Sequence, residues 1–398
     1  MKALEFSRDL PRYAAARVAG SIIAGRGAAA GPLSLADVDP PGLPGPDWVR
    51  VRPRLAGICG SDLATVDGRS SAYFEPIVSF PFVPGHEVVG DLDDDTRVVI
   101  EPVLGCVTRG IEPPCDACAR GDLGNCERIN HGRIEPGLQS GFCCDTGGGW
   151  STLMVAHRSQ LHPVPDDLDD EAAVMVEPTA CAIHAALRGA VAAGDTVAVL
   201  GAGTLGLLTV AALRRHTDAG TIVVAARYPD QANLARLLGA DVVVGSDEWR
   251  RAVRRVTGSH AVGDGSIDRL TGGANAVFDC VGSSHSLTES LAVVRPRGRV
   301  VMVGMPGAVT VDLTGLWHRE IELVGAYAYG TELTADGPRR TFDLAFELVR
   351  HADLGRLVSA TYPLARYRDA IEHAANAGPR GAAKVAFDLR GEKERNRL

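Results

Sequence analysis

The chain has 398 residues, of which 45% are apolar, 23% are charged and 46 are glycine. This length exceeds what one hydrophobic core usually fills, so two domains are expected, and many glycines beside only 5% aromatics favour an α/β protein. The formal net charge of −8, with Arg spread among Asp and Glu, argues against nucleic acid as a partner.

Membrane-spanning and secretory segments are not expected. No apolar run approaches ~20 residues, and the N-terminus lacks the charged, apolar and small-residue order of a secretory signal. We therefore expect a cytoplasmic protein that has no membrane partner. In that setting the nine cysteines, three of them at close regular spacing, indicate metal ligands or free thiols rather than a disulfide framework.

The N-terminal part of the chain has the pattern of a β-rich domain. Prolines are frequent, and short strand-like segments begin at Trp48 (WVRVRPRLAG) and at Asp95 (DTRVVIEP). Residues 16–47, rich in Ala, Gly and Pro, show no clear periodicity. We assign residues 1–181 to this first domain.

From Val197 onward, strands alternate with helices. The run VAVLGAGTLGLLTVAALRR is a short β-branched stretch, a glycine turn and then apolar residues at helical spacing, and the pattern recurs from Thr221, Asn275 and Gly298. Continuous apolar strands between helices predict a parallel sheet covered on both faces. This second domain is placed at residues 182–326.

The last segment, residues 327–398, contains a helical pattern in YPLARYRDAIEHAA and a closing strand-like KVAFDL. We expect this segment to return to the first domain and complete it.

A glycine-rich turn opens the first helix of the second domain. Gly201, Gly203 and Gly206 form G-x-G-x-x-G directly after a predicted strand, and Thr204 and Leu205 lie between the second and third glycines. Such glycines let the backbone turn sharply and approach a pyrophosphate at the positive end of the helix. Glycine turns between strand and helix are also common without a ligand, but in this context the pattern favours dinucleotide binding.

The choice of dinucleotide depends on the tip of the next strand. Counting back from Gly239 places that tip at Ala226 and Arg227. A small residue followed by Arg leaves room for a 2′-phosphate and offers it a guanidinium. The sequence therefore predicts NADP, with Arg227 and Tyr228 at the phosphate; the alternative is a solvated Arg beside an unselective pocket that also accepts NAD.

Two further motifs carry a family resemblance. GICGSD at residues 57–62 and PGHEVVG at residues 84–90 resemble the zinc-dependent medium-chain alcohol dehydrogenases, and the resemblance covers nearly the whole chain. It implies a Rossmann dinucleotide-binding domain beside a β-rich GroES-like catalytic domain. It also implies that Cys59 and His86 bind a catalytic zinc, with Glu87 close enough to coordinate it transiently.

The third ligand distinguishes branches of that family. VEPTACAIHA at residues 176–185 is similar to the polyol, sugar and threonine dehydrogenases, in which Glu177 would be the ligand in place of a second Cys. The resemblance makes Ser61 the hydroxyl that passes the alcohol proton and Asp62 the carboxylate that orients His86. Taken singly, each ligand has an ordinary structural explanation: a buried thiol, a core histidine, a helix N-terminal carboxylate.

One position departs from the family pattern. Three residues after Ser61, where relatives commonly carry a His that passes the proton to solvent, this chain has Ala64. The proton relay must therefore end differently.

A second metal site is implied by C-x₂-C-x₇-C at Cys115, Cys118 and Cys126, which matches the last three ligands of the family's structural zinc lobe. The usual fourth Cys would be residue 112, which is Glu112 here. Either Glu112 closes the tetrahedron, which the register slightly favours, or Cys106 loops back to do so. The alternative is a lobe that packs without metal.

The resemblance implies a zinc-dependent enzyme that transfers hydride reversibly between a small-molecule alcohol and a nicotinamide dinucleotide, giving a ketone or aldehyde, and Ala226 and Arg227 predict that this dinucleotide is NADP. A polyol, sugar or amino alcohol is the expected substrate, and a homodimer or homotetramer the expected assembly. Two alternatives remain: a zinc-free quinone or enoyl reductase, and a non-catalytic relative that binds NADP.

Overall fold

In a computed structural model of the chain, residues 1–263, 269–334 and 337–391 are described. The chain divides into two compact units. Unit 1 contains Met1–Glu177 and Tyr329–Leu398, and unit 2 contains Pro178–Ala328. These divisions fall a few residues from the predicted domain limits.

The described residues form strands and helices that we number in chain order. The strands are β1 (Lys2–Phe6), β2 (Leu33–Asp37), β3 (Trp48–Gly57), β4 (Val88–Asp91), β5 (Arg97–Ile100), β6 (Met154–His157), β7 (Leu161–Pro163), β8 (Thr196–Leu200), β9 (Thr221–Ala225), β10 (Val242–Val244), β11 (Ala261–Val262), β12 (Arg269–Leu270), β13 (Ala274–Asp279), β14 (Val294–Met302), β15 (Glu322–Gly325), β16 (Thr331–Thr334), β17 (Gly337–Arg340), β18 (Val358–Tyr362) and β19 (Lys384–Asp388). The α-helices are α1 (Leu10–Ile22), α2 (Gly27–Ala30), α3 (Gly60–Val66), α4 (Asp116–Ala119), α5 (Asp170–Ala173), α6 (Val176–Arg188), α7 (Thr204–His216), α8 (Pro229–Leu237), α9 (Trp249–Thr257), α10 (Ser284–Val293), α11 (Thr314–His318), α12 (Thr341–His351) and α13 (Tyr367–Ala375). No helix in the described ranges is both long and apolar enough to cross a membrane.

Unit 1 is built on a seven-stranded sheet in the order β18-β19-β3-β4-β5-β7, with β6 also paired to β3. Strand β3 is central because it pairs antiparallel with β4, β6 and β19. Its last residues face β19, with Gly57 opposite Ala386. The closing strand of the chain therefore lies beside the segment that leads into the GICGSD motif.

An aromatic cluster fills the core of unit 1. Phe6 stacks on Phe82 with ring centroids 5.2 Å apart, and Phe82 contacts Phe142 at 5.3 Å. Trp150 meets Phe387 of β19 edge to face at 5.1 Å, and its indole N–H donates to the Gly57 carbonyl at 3.2 Å. Such pairs stabilise beyond the area they bury. Here they fix β19 and the end of β3 against the same core.

Helices α1 and α2 are inserted between β1 and β2, and the segment without clear periodicity contains the second half of α1 and all of α2. The insertion is tied to the residue that ends α3: the buried Asp67 carboxylate accepts backbone N–H groups of Gly25 at 2.9 Å and Gly27 at 3.0 Å. A Cβ on Gly27 would lie 2.2 Å from the Val66 carbonyl oxygen. Only glycine allows this approach, which holds the insertion against α3.

Unit 2 is a six-stranded parallel sheet in the order β10-β9-β8-β13-β14-β15. The central strand β8 (TVAVL) has its last four residues buried, as the continuous apolar pattern predicts. Helices join the parallel strands, so the predicted α/β class and Rossmann-type sheet are confirmed.

Candidate active site

The first motif places a thiol at the start of a helix. Cys59 is the N-cap of α3, and the Asp62 carboxylate accepts the Cys59 backbone N–H at 2.9 Å. The same short turn that buries Asp62 therefore fixes the backbone of Cys59 at the start of α3.

Asp62 also faces the imidazole of the second motif. The His86 Nδ1 lies 3.5 Å from Asp62 Oδ1, and both side chains are buried. Burial opposes protonation of His86, but Asp62 and Cys59 outweigh it and raise the His86 pKa well above its ordinary value. A carboxylate on one imidazole nitrogen orients the ring and strengthens the other nitrogen as a metal ligand.

His86 follows a glycine that the packing requires. Gly85 has φ of +96°, and a Cβ there would lie 2.4 Å from the Trp150 ring. The indole therefore lies against the backbone just before His86.

Glu87, the next residue after His86, lies close to both Cys59 and His86. The potential ligand atoms of Cys59, His86 and Glu87 all lie within 4.8 Å of one another. This donor set, one sulfur, one nitrogen and one carboxylate oxygen, fits a zinc ion.

A lysine that the sequence analysis did not identify completes this cluster. Lys384 at the start of β19 forms a buried ion pair with Glu87 and donates to the Ile58 carbonyl at 3.2 Å. Burial lowers the Lys384 pKa, but Glu87 and Cys59 outweigh this and raise it. The one local signal is a lysine in the otherwise apolar KVAF stretch.

Gly57 leaves the room that this pair needs. A Cβ on Gly57 would lie 1.8 Å from the nearer Glu87 carboxylate oxygen and 2.9 Å from Cε of Lys384. The first glycine of GICGSD is therefore required by a contact distant in sequence.

Glu177 is the second residue of α6 and is only 4% exposed. Burial is the largest influence on Glu177, and its pKa is raised to about 7. His86, Lys384 and Tyr329 act to lower this pKa, whereas Glu87 acts to raise it. Glu177 thus interacts electrostatically with the cluster, although it does not belong to the group within 4.8 Å. Tyr329, buried and in edge-to-face contact with Phe342 at 4.9 Å, is a second residue that the sequence analysis missed.

Ser61 and Ala64 lie on α3, within two turns of Cys59. The Ser61 carbonyl accepts the Thr65 hydroxyl at 3.0 Å, and the Ala64 carbonyl accepts the backbone N–H of Arg69 at 2.7 Å. The Ala64 side chain has no group that can carry a proton, as the sequence shows.

A second cluster consists of four cysteines, which we call the cysteine lobe: Cys106, Cys115, Cys118 and Cys126. Their sulfurs all lie within 4.8 Å of one another, with Cys106 and Cys126 3.7 Å apart, and none is in a disulfide. Four thiols at this spacing fit a tetrahedral zinc site.

The preference for Glu112 as fourth member is corrected by this geometry. Glu112 lies outside the group and instead lines a separate cavity of about 270 Å³ with Trp48, Arg133 and His157. Cys106 reaches the group because the chain turns back after it, with the Ile111 N–H bonded to the Cys106 carbonyl at 2.9 Å and Gly110 at φ of +64°. Register alone could not reveal this turn.

Hydrogen bonds within the cysteine lobe favour charged sulfur. The Cys118 sulfur accepts the Cys106 N–H at 3.4 Å, and the Cys106 sulfur accepts the Cys115 N–H at 3.3 Å. Burial acts to raise the Cys115 pKa, but hydrogen bonds from the backbone at Cys118 and Glu127 outweigh it and lower the pKa to about 7. Burial instead raises the Cys118 pKa, and it raises the Cys126 pKa to about 11, so the thiols of the lobe differ in how readily they release a proton to a metal.

The glycine turn of unit 2 lies between β8 and α7. Gly201 has φ of +95°, and a Cβ on Gly206 would lie 1.8 Å from the Gly201 carbonyl oxygen. Gly203, the N-cap of α7, has nothing within 4 Å of its Cβ position. Open space at a helix N-terminus, followed by Thr204 and Leu205, fits a pyrophosphate close to the backbone.

The tip of the next strand is where the sequence placed it. Ala226 and Arg227 directly follow β9, and the Ala226 N–H bonds to the Val244 carbonyl at 2.9 Å. The Arg227 guanidinium lies over the Tyr228 ring, 5.6 Å from its centroid. Arg227 is exposed.

Two family models match the chain. Residues 45–166 match the alcohol dehydrogenase GroES-like domain, and residues 204–350 match the zinc-binding dehydrogenase model. Together they account for about two thirds of the chain.

Individual relatives agree with these models. The chain is 28% identical to an L-idonate 5-dehydrogenase of Vitis vinifera over 87% of its own length and 89% of the relative's. It is 28% identical to a sorbitol dehydrogenase of Bacillus subtilis, over 82% and 86% of the two chains. In fold it resembles galactitol-1-phosphate dehydrogenase from Escherichia coli, with a TM-score of 0.70, 20% identity and coverage of 98% and 100%. The chain belongs to the zinc-dependent medium-chain alcohol dehydrogenase superfamily, in its polyol dehydrogenase-like branch.

Proposed function

We propose that this protein is a zinc-dependent alcohol dehydrogenase that transfers hydride reversibly between a polyol, sugar or amino alcohol and NADP. The observation that carries the proposal is the group of half-buried Cys59 with buried His86 and Glu87, whose ligand atoms lie within 4.8 Å of one another. Relatives named for sorbitol, L-idonate and D-arabitol phosphate support the substrate class.

The residues of the cluster have separate roles: some would bind the metal, and others orient or neutralise neighbouring side chains. When bound, zinc would polarise the alcohol oxygen and the nicotinamide would accept the hydride. Cys59, His86 and Glu177 would hold the metal, and Asp62 holds the His86 ring in orientation from 3.5 Å. Lys384 neutralises Glu87, which keeps a second carboxylate charge from accumulating beside Glu177.

Proton transfer from the alcohol is assigned to Ser61. Its hydroxyl lies on the first turn of α3, two residues after Cys59. Because Ala64 carries no titratable group, the relay beyond Ser61 would run through water or through a hydroxyl of the substrate or ribose.

A chelator experiment tests the zinc-dependent function. Removal of zinc should abolish alcohol-dependent NADPH formation, and added Zn²⁺ should restore it. A zinc-free quinone or enoyl reductase would keep its activity after chelation, and a non-catalytic relative would show none before it. Either result would contradict the proposal.

The preference for NADP is proposed from Ala226 and Arg227 after β9. Replacement Arg227→Asp removes the cation and adds a carboxylate that suits the ribose hydroxyls of NAD. We expect kcat/KM to fall for NADP and rise for NAD, while Arg236→Asp, on the following helix, should leave the ratio unchanged. Better use of NAD than NADP by the unaltered protein would contradict the assignment.

The cysteine lobe is proposed as a structural zinc site with Cys106 as fourth ligand. Its support is the 4.8 Å grouping of the four sulfurs. Two zinc ions per chain are therefore expected, and Cys106→Ser should reduce the content toward one while Glu112→Gln should not. We also propose that the protein assembles as a homodimer or homotetramer.

A further inference from the structure

Arg109 is a fully buried cation whose hydrogen-bond partners are all neutral. Its side chain is 0% exposed, and its guanidinium donates to carbonyl oxygens only. The acceptors are those of Leu104 at 3.1 Å, His131 at 3.3 Å, Ile134 at 3.3 Å, Glu135 at 3.4 Å and Gly137 at 2.6 Å. Within the described ranges, no carboxylate forms an ion pair with it.

A buried charge without an opposite charge is strongly unfavourable, even when its hydrogen bonds are satisfied. Arg54, a partly buried arginine of unit 1, pairs with Asp91 and Asp170. The guanidinium of Arg109 differs from it in having no carboxylate partner among the described residues, so a negative charge from another group would stabilise it.

The backbone of Arg109 is joined directly to the cysteine lobe. The Arg109 backbone N–H bonds to the carbonyls of Gly105 and Cys106, both at 3.2 Å, so the arginine belongs to the turn that brings Cys106 into the group. Gly105 in turn lies against the lobe, since a Cβ there would be 3.2 Å from the Cys118 sulfur.

The pKa of Arg109 also reflects the neighbouring thiols. Burial lowers the Arg109 pKa, and the thiols that oppose this are Cys143, Cys126, Cys106 and Cys118, three of which belong to the lobe. A divalent ion held by four thiolates carries a net charge of about −2, because all four ligands are deprotonated. The positive charge of one guanidinium nearby reduces this net charge to about −1.

We propose that Arg109 is the counter-charge of a tetrathiolate metal centre formed by Cys106, Cys115, Cys118 and Cys126. The inference rests on the proposed structural zinc and adds a positioning residue to it. Arg109 acts in two ways: its charge stabilises the loaded centre, and its five carbonyl contacts tie residues 131–137 to the turn that carries Cys106.

The test separates the charge from the hydrogen bonds. Arg109→Gln removes the charge but keeps N–H donors, whereas Arg109→Lys keeps the charge with a different donor geometry. Arg120→Gln, a charge removal at an exposed arginine of the same lobe, is the matched control. Full-length proteins are loaded with Co²⁺, and metal transfer to a competing chelator is followed by thiolate-to-cobalt absorption, to which the four-sulfur centre contributes most.

We expect Arg109→Gln to weaken metal retention about 10–100-fold, as loss of a group supporting a metal ligand commonly does, with a much smaller change for Arg109→Lys and none for Arg120→Gln. Equal losses in the Gln and Lys variants would show that Arg109 only ties the backbone together and would overturn the inference. Absence of the four-sulfur absorption in the unaltered protein would instead overturn the metal site itself.

A second variant keeps the test decisive if Arg109→Gln does not fold. Cys126→His replaces a thiolate by a neutral imidazole and lowers the negative charge of the centre by one. The charge of Arg109 should then matter less, so Arg109→Gln combined with Cys126→His should fold and hold Co²⁺ nearly as well as Cys126→His alone. Failure of the double variant where Cys126→His succeeds would reject the counter-charge.

Discussion

Glu87 and Lys384 form an ion pair whose side chains are 1% and 2% exposed, inside the cluster that holds the candidate metal ligands. Two opposite charges at this depth are costly to bury and are more costly still to separate. The pair therefore fixes β19 against the motif that contains His86, because neither residue can move without leaving a buried charge alone.

This relation gives a stability prediction. In zinc-free protein, Lys384→Met should destabilise unit 1 by about 3–5 kcal/mol, because Glu87 is left buried and unpaired. The measurement is urea unfolding followed by tryptophan fluorescence. Lys2→Met, at an exposed lysine of β1, is the control and should change stability by less than about 0.5 kcal/mol.

A double variant decides whether the loss comes from the unpaired charge. Glu87→Gln combined with Lys384→Met removes both charges and should recover most of the stability. Equal destabilisation of the single and double variants would mean that lost packing of the lysine side chain, and not the unpaired carboxylate, is responsible.

At the residue level, sequence reasoning found the groups that lie in short local motifs. Cys59, Asp62 and His86 lie in two motifs and meet as the resemblance implied, with the Asp62 and His86 side chains 3.5 Å apart. Lys384 and Tyr329 were missed because their relation to the site depends on strand pairing and packing across more than 150 residues of sequence. Cys106 was weighed but not preferred, since the turn that returns it is a backbone feature.

Among the elements, the glycine turn between β8 and α7 shows two distinct requirements within six residues. Gly206 is needed for packing, because a Cβ there would lie 1.8 Å from the Gly201 carbonyl oxygen. Gly203 has open space at its Cβ position. The fold therefore requires glycine at position 206, whereas a bound ligand would require glycine at position 203.

Matched alanine substitutions test this separation. Gly206→Ala should destabilise unit 2 by about 1–3 kcal/mol, the usual cost of forcing atoms into a packed site, whereas Gly203→Ala should leave the melting temperature nearly unchanged. For dinucleotide affinity, Gly203→Ala should cause a clear loss because its methyl group occupies the space proposed for the pyrophosphate. Full NADP affinity in Gly203→Ala would contradict the proposed position of the phosphate.

The elements themselves were predictable to different degrees. Buried strands such as β8 and β9 are continuous apolar runs after a first Thr, and the parallel sheet was predicted directly from such runs. Helix α1 was not recognised because its alanine-rich sequence buries only Ala16 fully and leaves Leu10, Val18 and Ile22 exposed. The contacts of Gly25 and Gly27 with Asp67, which follow α1 in sequence, give no periodic apolar signal either.

At the scale of the whole molecule, the two units differ in how the chain builds them. Unit 2 is formed by one continuous segment, Pro178–Ala328, with its own apolar core around β8, β9 and β13. Unit 1 requires both ends of the chain, since β19 pairs with β3 and contributes Val385 and Phe387 to its core. Removal of β19 should therefore destabilise unit 1 more than unit 2.

Truncation after residue 383 tests this difference. We expect amide hydrogens of β3 and β4 to lose protection from exchange, because the sheet loses a partner strand and the Glu87 ion pair together, while those of β8 and β13 remain protected. Hydrogen exchange followed by mass spectrometry gives the comparison, and truncation after residue 391, which retains β19, is the control. Persistent protection of β3 in the shorter chain would show that unit 1 does not depend on β19.

The long sequence separation between Lys384 and the two motifs also has a consequence for biosynthesis. Cys59 and His86 leave the ribosome about 300 residues before the strand that carries this lysine, a delay of tens of seconds at ~5–20 residues/s. Until then the nascent chain presents a thiol, an imidazole and an uncompensated carboxylate without the strand that closes them off. We therefore expect stable metal uptake at this cluster to follow synthesis of β19 and not synthesis of the two motifs alone.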